Sequence, residues 1–193
     1  MFNHSWKKEV FTLPNFLSLF RLLLIPVYIR MYFRAETNLD YYMTGSLLGV
    51  SCLTDLADGI IAREYNMVSN LGKLLDPLAD KLTQLALIVT LSRTHRILYP
   101  ILTLFLIKEL FQCGSMVYFA RKGKFLPGAL LSGKVCTTVL FITLLLLVVS
   151  PDIPSSSVML FVTADGIFLL FAMWSYVQAY FGKNQKLTDL RNE

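Results

Sequence analysis

The chain has 193 residues, of which 55% are hydrophobic and only 16% are charged, and its formal net charge is +5. Globular domains carry about 25% charged residues, so this composition points to a membrane-embedded protein and not to a nucleic-acid-binding one. The three cysteines form no C-x-x-C pair and the two histidines lie far apart, which gives no basis for a zinc site.

Six apolar stretches are each long enough to cross a bilayer, for which a helix needs roughly 20 mostly apolar residues. We expect them near residues 17–33, 42–63, 74–91, 97–120, 129–149 and 158–181. The remaining residues leave no room for a second soluble domain. The sequence therefore predicts an all-α membrane protein of six transmembrane helices, a single domain over residues 1–193 in which residues 1–16 form an interfacial arm.

The basic residues set the expected orientation, because short cytoplasmic flanks are enriched in lysine and arginine. Such residues occur in the N-terminal arm, between the second and third spans, after the fourth span and in the C-terminal tail: Lys7, Lys8, Arg63, Lys73, Arg121, Lys122, Lys124, Lys183, Lys186 and Arg191. The opposite flanks hold Arg34, Arg93 and Arg96. We therefore expect both termini in the cytoplasm, as an even number of spans requires.

Four acids lie where the second predicted span ends and the third begins: Asp55, Asp58, Asp76 and Asp80. Their spacings of three and four residues place each pair on one helix face. The connection between the two helices is short, so we expect them to be antiparallel neighbours whose acids converge near the cytoplasmic surface. Four carboxylates in a region of low dielectric need raised pKa values or bound cations, and their oxygens suit Mg²⁺ or Mn²⁺.

The neighbouring residues suit an anionic ligand. Arg63 offers a planar fork to phosphate oxygens, and Gly59 and Gly72 allow a ligand close to the backbone. Two divalent ions about 3.5–4 Å apart can clamp the attacking and leaving oxygens of a phosphoryl transfer. The residues therefore favour a two-metal transferase site. Solvated helix caps and the ion pathway of a cation transporter stay open as alternatives, although a pathway should place acids along several spans.

These residues form the pattern D-x2-D-G-x2-A-R-x8-G-x3-D-x3-D between Asp55 and Asp80. The pattern is similar to the signature of the CDP-alcohol phosphatidyltransferase family. Three further segments resemble the phosphatidylglycerophosphate synthase and cardiolipin synthase branch of that family. They are L-P-N-F-L-S-L-F-R-L-L-L-I-P at 13–26, L-D-P-L-A-D-K at 75–81 and G-K-V-C-T at 133–137.

The resemblance implies a six-helix enzyme of a bacterial cell membrane, with its site facing the cytoplasm and with a homodimeric assembly. Such an enzyme uses divalent metal to transfer a phosphatidyl group from CDP-diacylglycerol to an alcohol, and it releases CMP. Carried over to this sequence, the metal ligands are Asp55, Asp58, Asp76 and Asp80, and Asp80 is also the catalytic general base. The nucleotide-binding residues are then Asp58, Gly59, Ala62, Arg63 and Gly72.

The leading acceptor is glycerol 3-phosphate, whose phosphate needs a basic pocket. Arg21, Lys108 and Lys134 are candidates because they lie in or beside apolar stretches. The alternative for Arg21 and Lys134 is snorkelling to the interface, and for Lys108 it is pairing with an acid such as Glu109.

Two positions depart from the branch. The branch usually has arginine in place of Lys108, and many of its glycerol-phosphate enzymes have a second lysine in place of Cys136. These departures keep open a cardiolipin synthase-like transfer to phosphatidylglycerol, or to another alcohol. Asp165, inside the sixth predicted span, is left without a role.

Overall fold

A computed structural model describes residues 13–64, 72–125, 130–182 and 188–189, with side chains described for 16–54, 75–124 and 130–182. The described residues form six α-helices, and the bounds of each agree with a predicted span to within about one helical turn. The helices are α1 (Leu13–Arg34), α2 (Asn38–Glu64), α3 (Gly72–Thr94), α4 (Tyr99–Arg121), α5 (Leu131–Val149) and α6 (Ser155–Phe181). Because α1 begins at Leu13, the last residues of the expected interfacial arm are helical, and residues 1–12 lie outside the described part.

Three short elements of the described chain were not predicted. A 3₁₀ turn at Arg96–Leu98 precedes α4. A strand at Lys124–Phe125, β1, pairs antiparallel with a strand at Thr188–Asp189, β2. None of the three is long enough to show a periodic hydrophobic pattern, so the sequence carried no signal for them.

Four segments of the described chain are long and apolar enough to cross a membrane: Phe16–Arg34, Arg96–Arg121, Leu131–Val149 and Ser155–Phe181. They confirm a helical membrane protein. The set is drawn from residues with described side chains, which exclude the end of α2 that carries Asp55 and Asp58. The helix α3, which carries Asp76 and Asp80, is absent from the set, and charged groups are costly inside a bilayer. Six spans therefore stay a prediction.

The chain divides into two compact units, each described by itself. The first comprises Met1–Leu91 and Leu145–Asp152, and the second comprises Ser92–Leu144 and Ile153–Glu193. The family resemblance spans both units, and the single domain stays a prediction.

In the first unit, α1 and α2 pack against each other and run antiparallel, because only residues 35–37 join them. Thr37 and Asp40 fix the start of α2. The Thr37 hydroxyl and backbone N–H donate to Asp40 Oδ2 at 2.8 and 2.9 Å, and the Asp40 N–H donates to Thr37 Oγ1 at 3.3 Å. This reciprocal arrangement is a capping box, which satisfies backbone donors that have no partner inside the helix.

The helix α3 runs parallel to α1. Arg21 contacts Asp80 in the first half of α3, and Tyr28, about two turns further along α1, lies close to Thr90 in the second half. Between these two levels α3 buries Leu87 and Ile88 completely, together with the polar side chain of Gln84. Because α1 is antiparallel to α2 and parallel to α3, α2 and α3 are antiparallel to each other, as the sequence predicts.

In the second unit, α4 and α6 are parallel and α5 is antiparallel to α6. Ile101 lies beside Gly166, and the rings of Phe119 and Tyr180 stack with centroids 5.4 Å apart. Residue numbers therefore increase in the same direction on α4 and α6, so these two helices are parallel. On α5 and α6 they increase in opposite directions, because Gly133 contacts Tyr176 whereas Thr143, further along α5, hydrogen-bonds Asp165, which comes earlier on α6.

Candidate active site

The described part of the motif is centred on Arg21, which is only 4% exposed although it lies within a membrane-spanning helix. Its Nη1 donates to Asp80 Oδ1 at 2.7 Å, and its Nη2 lies 3.7 Å from Asp76 Oδ1. A buried charge is tolerated when it is paired. The pairing with two acids therefore explains how an arginine can be enclosed between α1 and α3.

Asp76 and Asp80 project from one face of α3, because both carboxylates contact the same guanidinium. This confirms the face predicted from their four-residue spacing. Their side chains remain 43% and 53% exposed. The acids are therefore fixed from one side by Arg21 and remain accessible to a ligand.

Ser18 is a site residue that the sequence did not indicate. Its hydroxyl donates to Asp76 Oδ1, and the side chain is fully buried. Ser18 precedes Arg21 by three residues, so both lie on the face of α1 that meets α3. The sequence feature that could have indicated Ser18 is its three-residue spacing from Arg21, within the N-terminal segment that resembles the family. A serine and an arginine so close together are unusual in an otherwise apolar span.

The first half of the motif lies where side chains are outside the described part of the structure. Asp55, Asp58, Gly59, Ala62 and Arg63 belong to the last turns of α2, and Gly72 is the first residue of α3. Their predicted roles as metal and nucleotide ligands therefore stay predictions.

The chemistry of the described acids fits a divalent cation. Asp76 and Asp80 offer partly exposed carboxylate oxygens on one helix face, the donor type that Mg²⁺ and Mn²⁺ prefer. No cluster of three metal-ligating side chains occurs within the searched residues, whereas the proposed set also needs Asp55 and Asp58. The described acids thus supply half of the predicted ligand set.

Lys108 occupies a different setting from the one expected for an acceptor ligand. It is 2% exposed, its Nζ lies 2.6 Å from Glu109 Oε1, and it lies 5.9 Å from the centre of the Tyr176 ring. The alternative of pairing with Glu109 is therefore observed. The contact keeps a lysine buried near the middle of α4 without leaving an isolated charge.

The G-K-V-C-T segment forms the first turns of α5. Gly133 is buried directly against Tyr176, and a Cβ atom at this position would lie 2.6 Å from the tyrosine hydroxyl oxygen. Lys134 is exposed, whereas Cys136 is 1% exposed. The cysteine that replaces the expected second lysine is therefore an interior residue.

Asp165 acquires a partner that the sequence did not predict. Thr143 Oγ1 on α5 lies 3.3 Å from Asp165 Oδ1 on α6, and the acid is 1% exposed. Its second oxygen, Oδ2, has no hydrogen-bond partner within the described residues. The pair joins two helices of the second unit at a buried position.

Comparison with known proteins identifies the family to which this arrangement belongs. A family model for CDP-alcohol phosphatidyltransferases matches residues 11–178. The chain belongs to the CDP-alcohol phosphatidyltransferase family. The resemblance drawn from the acidic motif is thus confirmed over a segment that begins before α1 and ends near the last turn of α6.

Individual relatives are bacterial proteins named CDP-diacylglycerol–glycerol-3-phosphate 3-phosphatidyltransferase. That of Rickettsia typhi is 41% identical over 70 residues, covering 36% of this chain and 39% of the relative. That of Rickettsia felis is 38% identical over 85 residues, covering 44% and 46%. That of Escherichia coli K12 is 29% identical over 175 residues, covering 88% and 94%. The chain therefore spans less than half of the rickettsial relatives and nearly all of the more distant one.

Proposed function

We propose that this CDP-alcohol phosphatidyltransferase makes phosphatidylglycerophosphate for phospholipid biosynthesis, by transferring a phosphatidyl group from CDP-diacylglycerol to glycerol 3-phosphate with release of CMP. The observation that carries the proposal is the convergence of Asp76 and Asp80 on Arg21, with the acids still accessible. Relatives that carry this activity in their names support the choice of acceptor.

Asp80 is the general base in this proposal. It accepts the proton of the acceptor hydroxyl, whose oxygen then attacks the phosphorus that bears diacylglycerol. The new P–O bond forms as the bond to CMP breaks, so CMP leaves with the electron pair. Asp80 Oδ1 accepts a hydrogen bond from Arg21 Nη1 at 2.7 Å, which orients the carboxylate. Arg21 and Ser18 are positioning residues that hold the α3 acids toward the substrate.

Asp55, Asp58, Asp76 and Asp80 would hold Mg²⁺ or Mn²⁺. Bound there, divalent ions would stabilise the negative charge of the pyrophosphate and of the departing CMP. Arg63 would bind phosphate oxygens of CDP through its planar fork. Asp58, Gly59, Ala62 and Gly72 would complete the nucleotide pocket.

For acceptor recognition, the exposure of Lys134 supports a direct contact with the acceptor phosphate. Lys108, held by Glu109, and Arg21, held by the motif acids, already have ionic partners. We assign them a supporting electrostatic role in acceptor binding. The enzyme is further proposed to lie in a bacterial cell membrane as a homodimer, with its site facing the cytoplasm.

One observation favours a second acceptor. Cys136 is buried where the glycerol-phosphate enzymes of the branch often carry a second lysine, so this position supplies no cation for an acceptor phosphate. The second candidate is therefore a cardiolipin synthase-like transfer to phosphatidylglycerol, or a transfer to another alcohol.

Acceptor-dependent release of CMP tests the proposal. Purified protein in detergent would receive CDP-diacylglycerol labelled in its cytidine, Mg²⁺ or Mn²⁺, and one alcohol at a time. We expect CMP release with glycerol 3-phosphate and none after chelation of the metal. Release only with phosphatidylglycerol would replace the first candidate by the second. No release with any alcohol, together with cation flux in protein-containing liposomes, would refute the transferase and support the transporter.

A further inference from the structure

A cavity of the first unit lies away from the motif, between the last two turns of α1 and the first two turns of α2. It is an open groove of about 310 Å³, which is the lower end of the range that ligand sites occupy, roughly 300–1,000 Å³. We call it the α1–α2 groove, lined by Val27, Arg30, Met31, Arg34, Asp40 and Met43 among others. Nothing in the transferase chemistry uses it.

The groove presents two arginines to the same space. Arg30 and Arg34 are four residues apart, so they lie on one face of α1, and both are exposed. Within the part of the chain whose side chains are described, neither makes a hydrogen bond or an ion pair. Two guanidinium groups side by side repel each other, and an anion between them would relieve that repulsion.

Asp40, the acid of the groove, does not fill this role. Its Oδ2 accepts hydrogen bonds from the backbone N–H of Glu36 and Thr37 and from the Thr37 hydroxyl, at 3.1, 2.9 and 2.8 Å. These bonds hold the pKa of the Asp40 carboxyl below its usual range. The acid is thus committed to the start of α2, and two arginines against one acid leave the groove with net positive charge.

Apart from Thr44, the remaining wall is apolar. The segment Phe16–Arg34 is long and apolar enough to span a membrane, so we place Arg34 at the bilayer boundary and Val27 about two turns deeper. Val27 and Met43 are 45% and 53% exposed. A ligand in the groove therefore meets cationic groups at the boundary and apolar side chains towards the hydrocarbon.

We propose that the α1–α2 groove binds one anionic phospholipid, with its phosphate between Arg30 and Arg34 and the upper part of an acyl chain against Val27, Met31 and Met43. Arginine suits this contact because its planar fork binds phosphate oxygens through paired hydrogen bonds. A soluble anion would satisfy the arginines but would leave the apolar wall uncovered. A zwitterionic lipid would bring a cationic head group close to two positive charges.

The amount of each lipid that the purified protein retains tests the proposal directly. The full-length protein would be purified in detergent and given an equal mixture of phosphatidylglycerol and phosphatidylcholine with identical acyl chains, and bound lipid would be counted by native mass spectrometry. We expect phosphatidylglycerol to be retained in preference. The variant R30Q/R34Q should retain it about tenfold less, since it loses two charge-assisted contacts, and its retention of phosphatidylcholine should not change.

Two further variants test whether a change in lipid retention is specific to the α1–α2 groove. R96Q removes an exposed arginine at the beginning of another membrane-spanning segment and should retain phosphatidylglycerol as the unmodified protein does. R30K/R34K keeps both charges and should recover most of the preference, which would also show that loss in R30Q/R34Q is not misfolding. All these variants keep the motif, so lipid bound at the active site contributes equally to each.

Crosslinking locates the lipid. Phosphatidylglycerol with a diazirine near the head-group end of one acyl chain should label peptides that contain Val27, Met31 or Met43, and less so in R30Q/R34Q. Equal retention of both lipids by the unmodified protein would overturn the proposal. So would unchanged retention in R30Q/R34Q, which would mean that the two arginines only snorkel to the bilayer surface, or crosslinks confined to other helices.

Discussion

At the scale of single residues, Arg21 has a different role from the one its sequence context suggested. A lone arginine in an apolar run could bind substrate or snorkel, and the sequence does not separate these. In the structure its partners are Asp76 and Asp80, which are close in space although 55 and 59 residues away in sequence. That pairing depends on how α1 packs against α3, which no local pattern encodes. The four-residue spacing of the two acids, by contrast, was enough to place them together.

The general-base role of Asp80 predicts a sharp loss of turnover in D80N. The amide keeps the size of the side chain and an oxygen that can accept from Arg21, but it cannot take up the proton of the acceptor. We expect the transfer rate to fall about 10²–10⁴-fold, the usual contribution of general-base catalysis. The rate of CMP release measures the loss, and calorimetric titration with a CDP analogue should show that the nucleotide still binds.

D152N is the matched control for that substitution. Asp152 is an exposed acid in the connection between α5 and α6, so the same chemical change there should leave both rate and binding unaltered. Turnover of D80N close to that of D152N would remove Asp80 from the catalytic step and would leave it as a structural partner of Arg21.

At the scale of the helices, the sequence predicted the elements well because each is a long apolar run bounded by charged or turn-forming residues. Lys108 and Glu109 are adjacent, so their pairing could also be considered in advance. The contacts between helices could not be predicted from the sequence. The closeness of Gly133 to Tyr176, and of Thr143 to Asp165, depends on which faces of α5 and α6 meet. Hydrophobicity in a membrane span is nearly uniform around the helix and leaves that choice open.

Substitution by alanine at two glycines of α2 should change the stability of the protein in opposite directions. A Cβ at Gly45 would overlap the side chain of Val149, whereas at Gly49 nothing lies within 4 Å. Alanine is favoured over glycine in a helix by about 0.5–1 kcal/mol, and forced overpacking costs about 1–3 kcal/mol. We expect G45A to lower the thermal unfolding midpoint in detergent and G49A to leave it equal or higher. Equal effects of the two would show that Val149 yields without cost.

At the scale of the whole molecule, the motif alone predicted membership of the family, whereas six spans stay a prediction. The acidic and basic residues of α3 interrupt its apolar run, and α3 is absent from the segments that are long and apolar enough to cross a membrane. Four segments in the described part of the chain have the length and composition to cross the membrane. Whether the motif helices cross as well decides on which side of the membrane the connection between them lies.

Labelling with a membrane-impermeant maleimide distinguishes these topologies. In a variant without Cys52, Cys113 and Cys136, single cysteines would be introduced as E36C, between α1 and α2, and S69C, between α2 and α3. With six spans and cytoplasmic termini, intact cells should label E36C, and S69C should react only after permeabilisation. Labelling of both in intact cells would mean that α2 and α3 do not cross. Labelling of S69C alone would reverse the orientation.

Because α1 and α3 run parallel, the spacing of residues along α1 sets the positions at which it contacts α3, the helix that carries Asp76 and Asp80. Arg21 pairs with Asp80 and Tyr28 lies close to Thr90, so α1 meets α3 at two separate levels. A single residue inserted between them would rotate one contact about 100° away from α3, so both could not survive together. The stretch from Arg21 to Tyr28 must therefore keep its length even where its apolar side chains can be exchanged, and insertions should accumulate in the chain before Ser18 and after Arg34.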